Sequence, residues 1–424
     1  MKRTLKFFII GLTVIVISSI LYFRGYNDGQ ADKEPYFTKE ASAQTAEDIS
    51  PVKARERAFY APNSENLGPN EIRVIAAGTG MPTQRMAQAA ACFLIELGNG
   101  DKFIFDIGEG AAERLAALEI PYDYLDKVFI GHLHGDHFGD LGALFVGGGL
   151  AGRHNVLRIW GPSGATPELG TKAAVEHMEK MFAWDIAGRL GQTDIRGFRT
   201  EVHEFDYKKE QVVYRKNGVT IHAFPAIHAI DGSVSYALDW KGMRIVFSSD
   251  TYPNKWFLKY AKGADLAIHE CFIAVPDLVE KFRLTPEAAL QVGTQIHTAP
   301  EAFGKVMSMA QPRHAVAYHF FKDTDTTGPI LERIRKTYDG PVSLAEDHMV
   351  WNITKDEIRE RVALVNEHSW NPPMVTEAVP PDPNDRMDYS PEIIAGKLDV
   401  DDVIKPIYEE ASKALGREFE YPEW

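Results

Sequence analysis

Cysteine is nearly absent from this chain. Among 424 residues only Cys92 and Cys271 carry a thiol. No Cys-x-x-Cys pair exists, which excludes a thiolate zinc site and leaves at most one disulfide open. Positive charge is also scarce, with 46 Lys and Arg against 60 Asp and Glu and a formal net charge of −14. Proteins that grip nucleic acid draw most of their affinity from neutralised phosphates, so this balance demotes nucleic acid as a partner, though a local basic patch is still compatible with it. Neither glycine cluster, Gly147-Gly148-Gly149 nor Gly161-Pro162-Ser163-Gly164, ends in the Gly-Lys-Ser/Thr of a phosphate-cradling loop. Both read as ordinary loops.

What is present begins with a hydrophobic run. Met1 to Lys6 is basic, and Phe7 to Phe23 is uncharged and mostly apolar. At ~1.5 Å per residue that run just crosses a ~30 Å hydrocarbon core. No small-x-small site follows it closely; Ala41-Ser42-Ala43 lies far downstream. An uncleaved N-terminal membrane anchor is therefore expected over residues 1–24, with a cleaved signal peptide as the alternative. The basic flank favours a cytoplasmic N-terminus and a body in a periplasm or outside the cell. Residues 25–70 are polar, with scattered Pro, Gly and Ser, and read as a linker with a short helix around 52–59.

The densest chemistry is His132-Leu133-His134-Gly135-Asp136-His137, directly after the apolar Val128-Phe129-Ile130. A strand there delivers three imidazoles and a carboxylate at its C-terminal end. Nitrogen and carboxylate oxygen suit a divalent metal such as zinc. Four ligands within six residues are too many for one ion. His132 and His134 are assigned to one metal, and Asp136 and His137 to another. The alternative, a polar turn that merely contains histidines, fits this density poorly.

The folded body is expected over 71–353. Strands are read at 72–77, 92–97 and 102–105, with Gly98-Asn99-Gly100-Asp101 as a hairpin turn. Asp106-Ile107-Gly108-Glu109-Gly110 leads into a helix at 111–118, and Asp106 is read as support for the ligand turn. A helix after His137 is ended by Gly147-Gly148-Gly149. A strand at 157–160 precedes a helical stretch at 166–190, whose Met178, Met181, Phe182 and Trp184 read as core packing ahead of a pocket lining. Further strands are placed at 211–215, 219–223, 236–239, 244–247, 266–269, 315–319, 342–344 and 349–353, with a helix at 300–309. Strands interleaved with helices suggest mixed sheets covered by helices. Residues 354–424 read as an extension: a helix at 357–365, a Pro-rich stretch and a C-terminal helical tail at 403–415. It would pack on the body or on a second subunit as a homo-oligomer contact.

Two metals need further ligands. The candidates are polar residues at strand ends: His228, Asp250 and His319. His222 rivals His228 but sits mid-strand, where a satisfied core histidine is the usual outcome.

The hexapeptide resembles the motif of the metallo-β-lactamase superfamily, and the likeness spans about 72–353. Gly78-Thr79-Gly80, Asp106-Ile107-Gly108-Glu109-Gly110, Trp160-Gly161-Pro162, Ser248-Ser249-Asp250-Thr251, His269-Glu270 and His297-Thr298 stand where the ribonuclease Z and arylsulfatase-like branch has similar motifs. A subgroup assigned to guanitoxin biosynthesis is also similar. The resemblance implies an α/β (α+β) fold, a four-layer αββα sandwich with its site along one edge. It implies that His228, Asp250 and His319 complete a dinuclear zinc site (Zn2+, two per chain, with Mn2+ or Fe2+ as alternatives), Asp250 bridging. Two departures concern single residues. Gly131 stands where a hydroxyl residue is common, and Cys271 stands where a small Ala-Thr pair is usual. No basic arm lies between His137 and His228. With the acidic charge and the anchor, these departures point away from RNA and toward a small-molecule substrate.

The expected activity is hydrolysis of a small phosphodiester, sulfate ester or related ester. Two zinc ions sharing a water would lower its pKa from 15.7 toward ~7, and Asp136 would orient the resulting hydroxide. His297 is the family-matched proton donor to the leaving group, with Glu270 orienting its imidazole; ordinary structural hydrogen bonding is the alternative for both. The rival functions are a lactone or β-lactam hydrolase, a ribonuclease Z-like endonuclease, and a non-catalytic metal-binding protein. Every expected ligand is present, which places the last of these behind the others.

Overall fold

The computed structural model describes residues 58–421. The Phe7–Phe23 run and residues 52–57 of the anticipated short helix lie outside the described residues. Among those described, no helix is long and apolar enough to cross a membrane.

Sixteen strands form two mixed sheets among the described residues. The first seven are β1 (Phe59–Tyr60), β2 (Ile72–Gly78), β3 (Cys92–Leu97), β4 (Lys102–Phe105), β5 (Lys127–Phe129), β6 (Leu157–Pro162) and β7 (Thr200–Phe205). The next seven are β8 (Gln211–Lys216), β9 (Val219–Pro225), β10 (Val234–Trp240), β11 (Met243–Phe247), β12 (Leu266–Glu270), β13 (His314–Tyr318) and β14 (Val342–Leu344). Then β15 (Met349–Ile353) and β16 (Ile358–Ala363) return to the first sheet. The orders are β1-β16-β15-β2-β3-β4-β5-β6-β7 and β14-β13-β12-β11-β10-β9-β8.

The period-2 alternation of strand side chains explains the layering. Ile72, Val74 and Ala76 of β2 face the space between the sheets, as do Phe93, Ile95 and Leu97 across the ladder. Ile75, Ala77, Cys92 and Leu94 point the other way, into the helices 111–116 and 141–150. In the second sheet Leu266, Ile268, Val316 and Tyr318 face inward. The small Ala267, Ala315 and Ala317 face outward and let Phe257, Phe303 and Met307 of two helices pack closely. The result is helix, sheet, sheet, helix. An aromatic block fills the centre, where Phe129 stacks on Trp160 at 4.7 Å and on Phe105 at 5.2 Å.

Strand direction places the site. β11, β12 and β13 are mutually parallel, and β9 runs with them because β10 is antiparallel to both of its neighbours. In the first sheet β4 and β5 are parallel, and β2 shares their direction through the antiparallel β3. The two sheets are tied at one edge by Val234 N–H donating to Gly131 O at 2.9 Å and Tyr236 Oη donating to Ile130 O at 2.6 Å.

Several elements differ from the sequence expectation. Gly147-Gly148-Gly149 does not end a helix but lies inside one, Leu141–Leu150. A Cβ on Gly148 would stand 2.3 Å from the buried Arg153 guanidinium, so tertiary packing overrides the breaker composition. The expected helix at 357–365 is strand β16, which the hairpin bond Thr354 N–H to Glu357 O (2.9 Å) folds back onto β15. The sheet thus passes the expected boundary at 353. It also begins before 72, because β1 pairs with β16 and buried Tyr60 lies under the Arg73 guanidinium at 4.1 Å. The stretch 166–190 holds two helices, Thr171–Met181 and Ala183–Ala187. Met178 packs in the core, but Met181 and Trp184 are exposed. β7 was not anticipated; its polar Glu201, His203 and Glu204 suit an edge strand. The Pro-rich stretch runs over the body as a strap, with Thr376 N–H on Asp123 Oδ2 (2.9 Å) and Val379 N–H on Asp194 Oδ2 (2.7 Å). The terminal helix is Asp401–Leu415.

Candidate metal centre

The ligand turn follows β5. His132 leaves the strand, His134 caps the four-residue helix Gly135–Phe138, and Asp136 and His137 lie within it. Three glycines allow this turn to seat. A Cβ on Gly108 would strike Asp136 O at 2.0 Å, and one on Gly135 or Gly139 would strike the Glu109 side chain at 2.6 or 2.8 Å. Ile107 N–H donates to His137 O at 2.8 Å and Asp140 N–H to Ile107 O at 3.1 Å, so the 106–110 segment is the bed of the turn.

The parallel strands of the second sheet deliver the rest at their C-terminal ends. His228 follows β9, Asp250 follows β11, Glu270 ends β12 and His319 follows β13. Two groups of four donors centre on the ligand turn, His132, His134, His228 and Asp250, and Asp136, His137, His319 and Asp250; a third, Asp250, Glu270, His297 and His319, overlaps the second. Within each group one ligand atom per residue lies within 4.8 Å of the others. His132 Nε2 is 3.0 Å from His134 Nδ1, which is 3.2 Å from His228 Nε2. Asp250 Oδ1 is 3.1 Å from His137 Nε2, and Asp250 Oδ2 is 3.2 Å from His319 Nε2. Donors ~2.0–2.1 Å from a tetrahedral zinc lie roughly 3.3 Å from each other, which is this spacing.

The donor set also fits a cation by what it leaves unpaired. Asp250 is fully buried, and no backbone N–H, hydroxyl, Lys or Arg reaches its oxygens; the groups that face them are imidazoles, with His137 Nε2 at 3.1 Å and His319 Nε2 at 3.2 Å. A buried carboxylate faced by imidazoles alone is costly unless a cation, a proton on the imidazole or a metal ion, meets it. No Lys or Arg pairs with Asp106, Asp136, Asp250 or Glu270 among the described residues.

Backbone carbonyls and buried side chains orient the imidazoles. Asp106 Oδ2 accepts from His137 Nδ1 at 2.7 Å, and Asp106 Oδ1 accepts from Gly131 N–H at 2.6 Å. His228 Nδ1 donates to Ile296 O at 3.3 Å. Each such bond leaves Nε2 with its lone pair toward the cluster. Asp106, Ser249 and His319 adopt φ of 56°, 49° and 73°, left-handed conformations that cost a non-glycine residue about 1–3 kcal/mol each.

Electrostatics divide the two groups in the metal-free protein. Burial, then the neighbouring His137 and His228, holds His132 well below the ordinary histidine range. Burial pushes His228 down to about 3. Burial also opposes charge on His137, but Asp250, Asp136 and Asp106 outweigh it and raise its pKa well above normal. The first group therefore offers neutral imidazoles, while His137 in the second holds a proton.

His297 and Glu270 sit beside the second group. His297 Nδ1 lies 3.1 Å from Glu270 Oε2, and its ring stacks on Phe272 at 4.1 Å and 6°. Burial opposes its charge, but Glu270, then Asp250 and Asp136, raise its pKa. Glu270 Oε1 is held by Thr251 N–H at 2.7 Å. His222 is not in the cluster; it pairs with Asp239 at 3.3 Å on β9. His269 points to the helix layer, against Phe257 at 4.4 Å. Sequence reasoning assigned no role to Ser249 or Phe272. For Ser249 a signal existed, since it directly precedes Asp250. Cys92 and Cys271 are buried and unpaired.

Comparison with known proteins adds a family context. The family described as "Anti-Pycsar protein Apyc1" matches residues 72–280. Ribonuclease Z of Mycolicibacterium gilvum (strain PYR-GCK) is 29% identical over 213 residues, covering 49% of this chain and 71% of that protein. Ribonuclease Z of Mycobacterium sp. (strain KMS) is 28% identical over 254 residues, 59% of this chain and 84% of that protein. The metallo-β-lactamase fold protein YhfI from Bacillus subtilis superposes with a TM-score of 0.50 at 19% identity, over 67% of this chain and 100% of that one.

Proposed function

We propose that the chain is a metallo-β-lactamase-superfamily hydrolase of the ribonuclease Z branch, a reading its relatives and its fold support, and that it uses two divalent cations, zinc by donor chemistry, to hydrolyse a small phosphodiester. The observation that carries this reading is Asp250, fully buried between two sets of imidazoles with no Lys, Arg, hydroxyl or backbone N–H on its oxygens. His132, His134 and His228 would hold one ion, Asp136, His137 and His319 the other, and Asp250 both. Ions held there would supply a water acidified toward pKa ~7 and positive charge for a phosphoryl oxygen.

The chain's own residues do the rest. Asp136 stays ionised, since His137 and His319 outweigh its burial. Its carboxylate accepts a hydrogen bond from the attacking water and fixes the direction of attack. Glu270 holds Nδ1 of His297, which leaves Nε2 to give a proton to the departing oxygen as the phosphorus–oxygen bond breaks. Phe272 fixes the plane of that imidazole. A phosphodiester is favoured over an acyl substrate because the relatives are ribonucleases by name. Those relatives also keep an RNA phosphodiester among the substrates to test. The Phe7–Phe23 run supports placing the body outside the cytoplasmic membrane.

The test is a hydrolysis panel of bis-p-nitrophenyl phosphate, an aryl sulfate, a lactone and a precursor tRNA, each with and without added Zn2+. Turnover of the diester, lost in Asp136→Ala with the fold intact, is expected. Turnover of the lactone alone, or full activity in the variant, refutes the reading.

A further inference from the structure

We propose that Ser249 is a positioning residue that relays Asp106 to the opposite ligand group, and that residue 131 is glycine because Ser249 occupies its side-chain space. The proposal rests on the metal-centre reading above.

Asp106 Oδ2 accepts from His137 Nδ1 at 2.7 Å and lies 2.8 Å from Ser249 Oγ. A carboxylate only accepts, so the hydroxyl donates to it. A hydroxyl has one proton, and only lone pairs then remain for His132 Nδ1, 3.1 Å away. That contact requires a proton on His132 Nδ1, which leaves Nε2 bare toward His134. One carboxylate thus sets the tautomer of an imidazole in each group, at His137 directly and at His132 through a hydroxyl. Ser249 is fully buried, and its Oγ reaches both, with His137 Nδ1 at 3.4 Å.

Gly131 fits the same account. A Cβ there would stand 2.2 Å from Ser249 Oγ and 2.3 Å from Ser249 Cβ. The two positions share room for one side chain. The chain brings the hydroxyl of Ser249 into that space from the segment that follows β11. It accepts a left-handed serine, φ 49°, to do so.

The test compares wild type, S249G, G131S and the double variant G131S/S249G. Metal-free protein is titrated with Zn2+ against a chromophoric chelator, the visible spectrum is recorded with Co2+, and thermal unfolding is followed without metal. Metal-free S249G should stay folded, since glycine relieves the φ of 49° and offsets part of the two lost Oγ bonds, yet bind metal ~10–100-fold more weakly with an altered Co2+ spectrum. G131S alone should unfold at lower temperature. The double variant, with a hydroxyl again in the shared space, should recover affinity and spectrum. Wild type that loads two ions beside an S249G of equal affinity overturns the relay alone. A folded double variant that fails to recover overturns the exchange of positions. Wild type that takes up no ion overturns the metal reading, and the relay with it.

Discussion

Asp106→Asn probes the bed beneath the ligands without touching a ligand. Asp106 accepts three bonds, from Gly131 N–H at 2.6 Å, His137 Nδ1 at 2.7 Å and Ser249 Oγ at 2.8 Å. Asparagine keeps an oxygen for Gly131 but puts an N–H where Oδ2 stood. His137 must then turn a lone pair toward it and move its proton to Nε2. Ser249 must also accept, so its hydroxyl swings to His132, whose proton likewise moves to Nε2. Both imidazoles would meet the ion with N–H. Loss of such orienting partners costs ~10–100-fold in metal affinity, or about 1.4–2.8 kcal/mol at ~1.4 kcal/mol per tenfold. The cost to the fold is roughly 1 kcal/mol per bond, the difference between charged and neutral hydrogen bonds, because every donor finds a new acceptor. Chelator competition measures the first quantity and urea unfolding of metal-free protein the second. Wild-type affinity in a folded D106N protein would refute the argument.

Three further outcomes follow from particular residues. Loading of the His137 group should release a proton and weaken as pH falls, since His137 holds that proton in the metal-free state; calorimetric heats that do not vary with buffer ionisation enthalpy would contradict this. Burial lowers His269 to about 4 against 6.5 for a free histidine. Between those values the unfolded chain binds the extra proton, so stability rises with pH across the window, by on the order of 3 kcal/mol. Metal-free H269N should lose most of that slope in urea unfolding at pH 4.5 and 7, and an unchanged slope would count against it. Asp194→Ala removes the acceptor of Val379 N–H and should loosen the strap by about 1–3 kcal/mol; trypsin cleavage at Arg386 should then quicken, and unaltered digestion would show that the strap is held elsewhere.

The hexapeptide was legible because its ligands are local: a buried strand followed by four donors in six residues needs no tertiary knowledge. His228, Asp250 and His319 were legible as polar residues ending apolar strands. Their convergence was not, because it depends on which strands run parallel, and sequence does not state pairing. The wrong assignments share a cause. Gly147 to Gly149 look like a breaker until Arg153 is seen against them. Residues 357–365 carry a helical composition until β1 and β15 claim them as a strand. Ser249 was legible only as the neighbour of Asp250; its role was not, because that role lies in the distance to residue 131, more than a hundred positions away. Trp184 looked like core and is on the surface, since composition fixes no direction.

The donors come from both sheets: the 132–137 turn from one, His228, Asp250 and His319 from the other. Any ion gripped by them acts as a rivet through the seam of the sandwich. At a free concentration of ~100 times Kd it would add about 2.7 kcal/mol to folding. Chelation should therefore part the two halves more readily as well as silence the chemistry, so the protein's lifetime and its activity would answer to the same supply of metal.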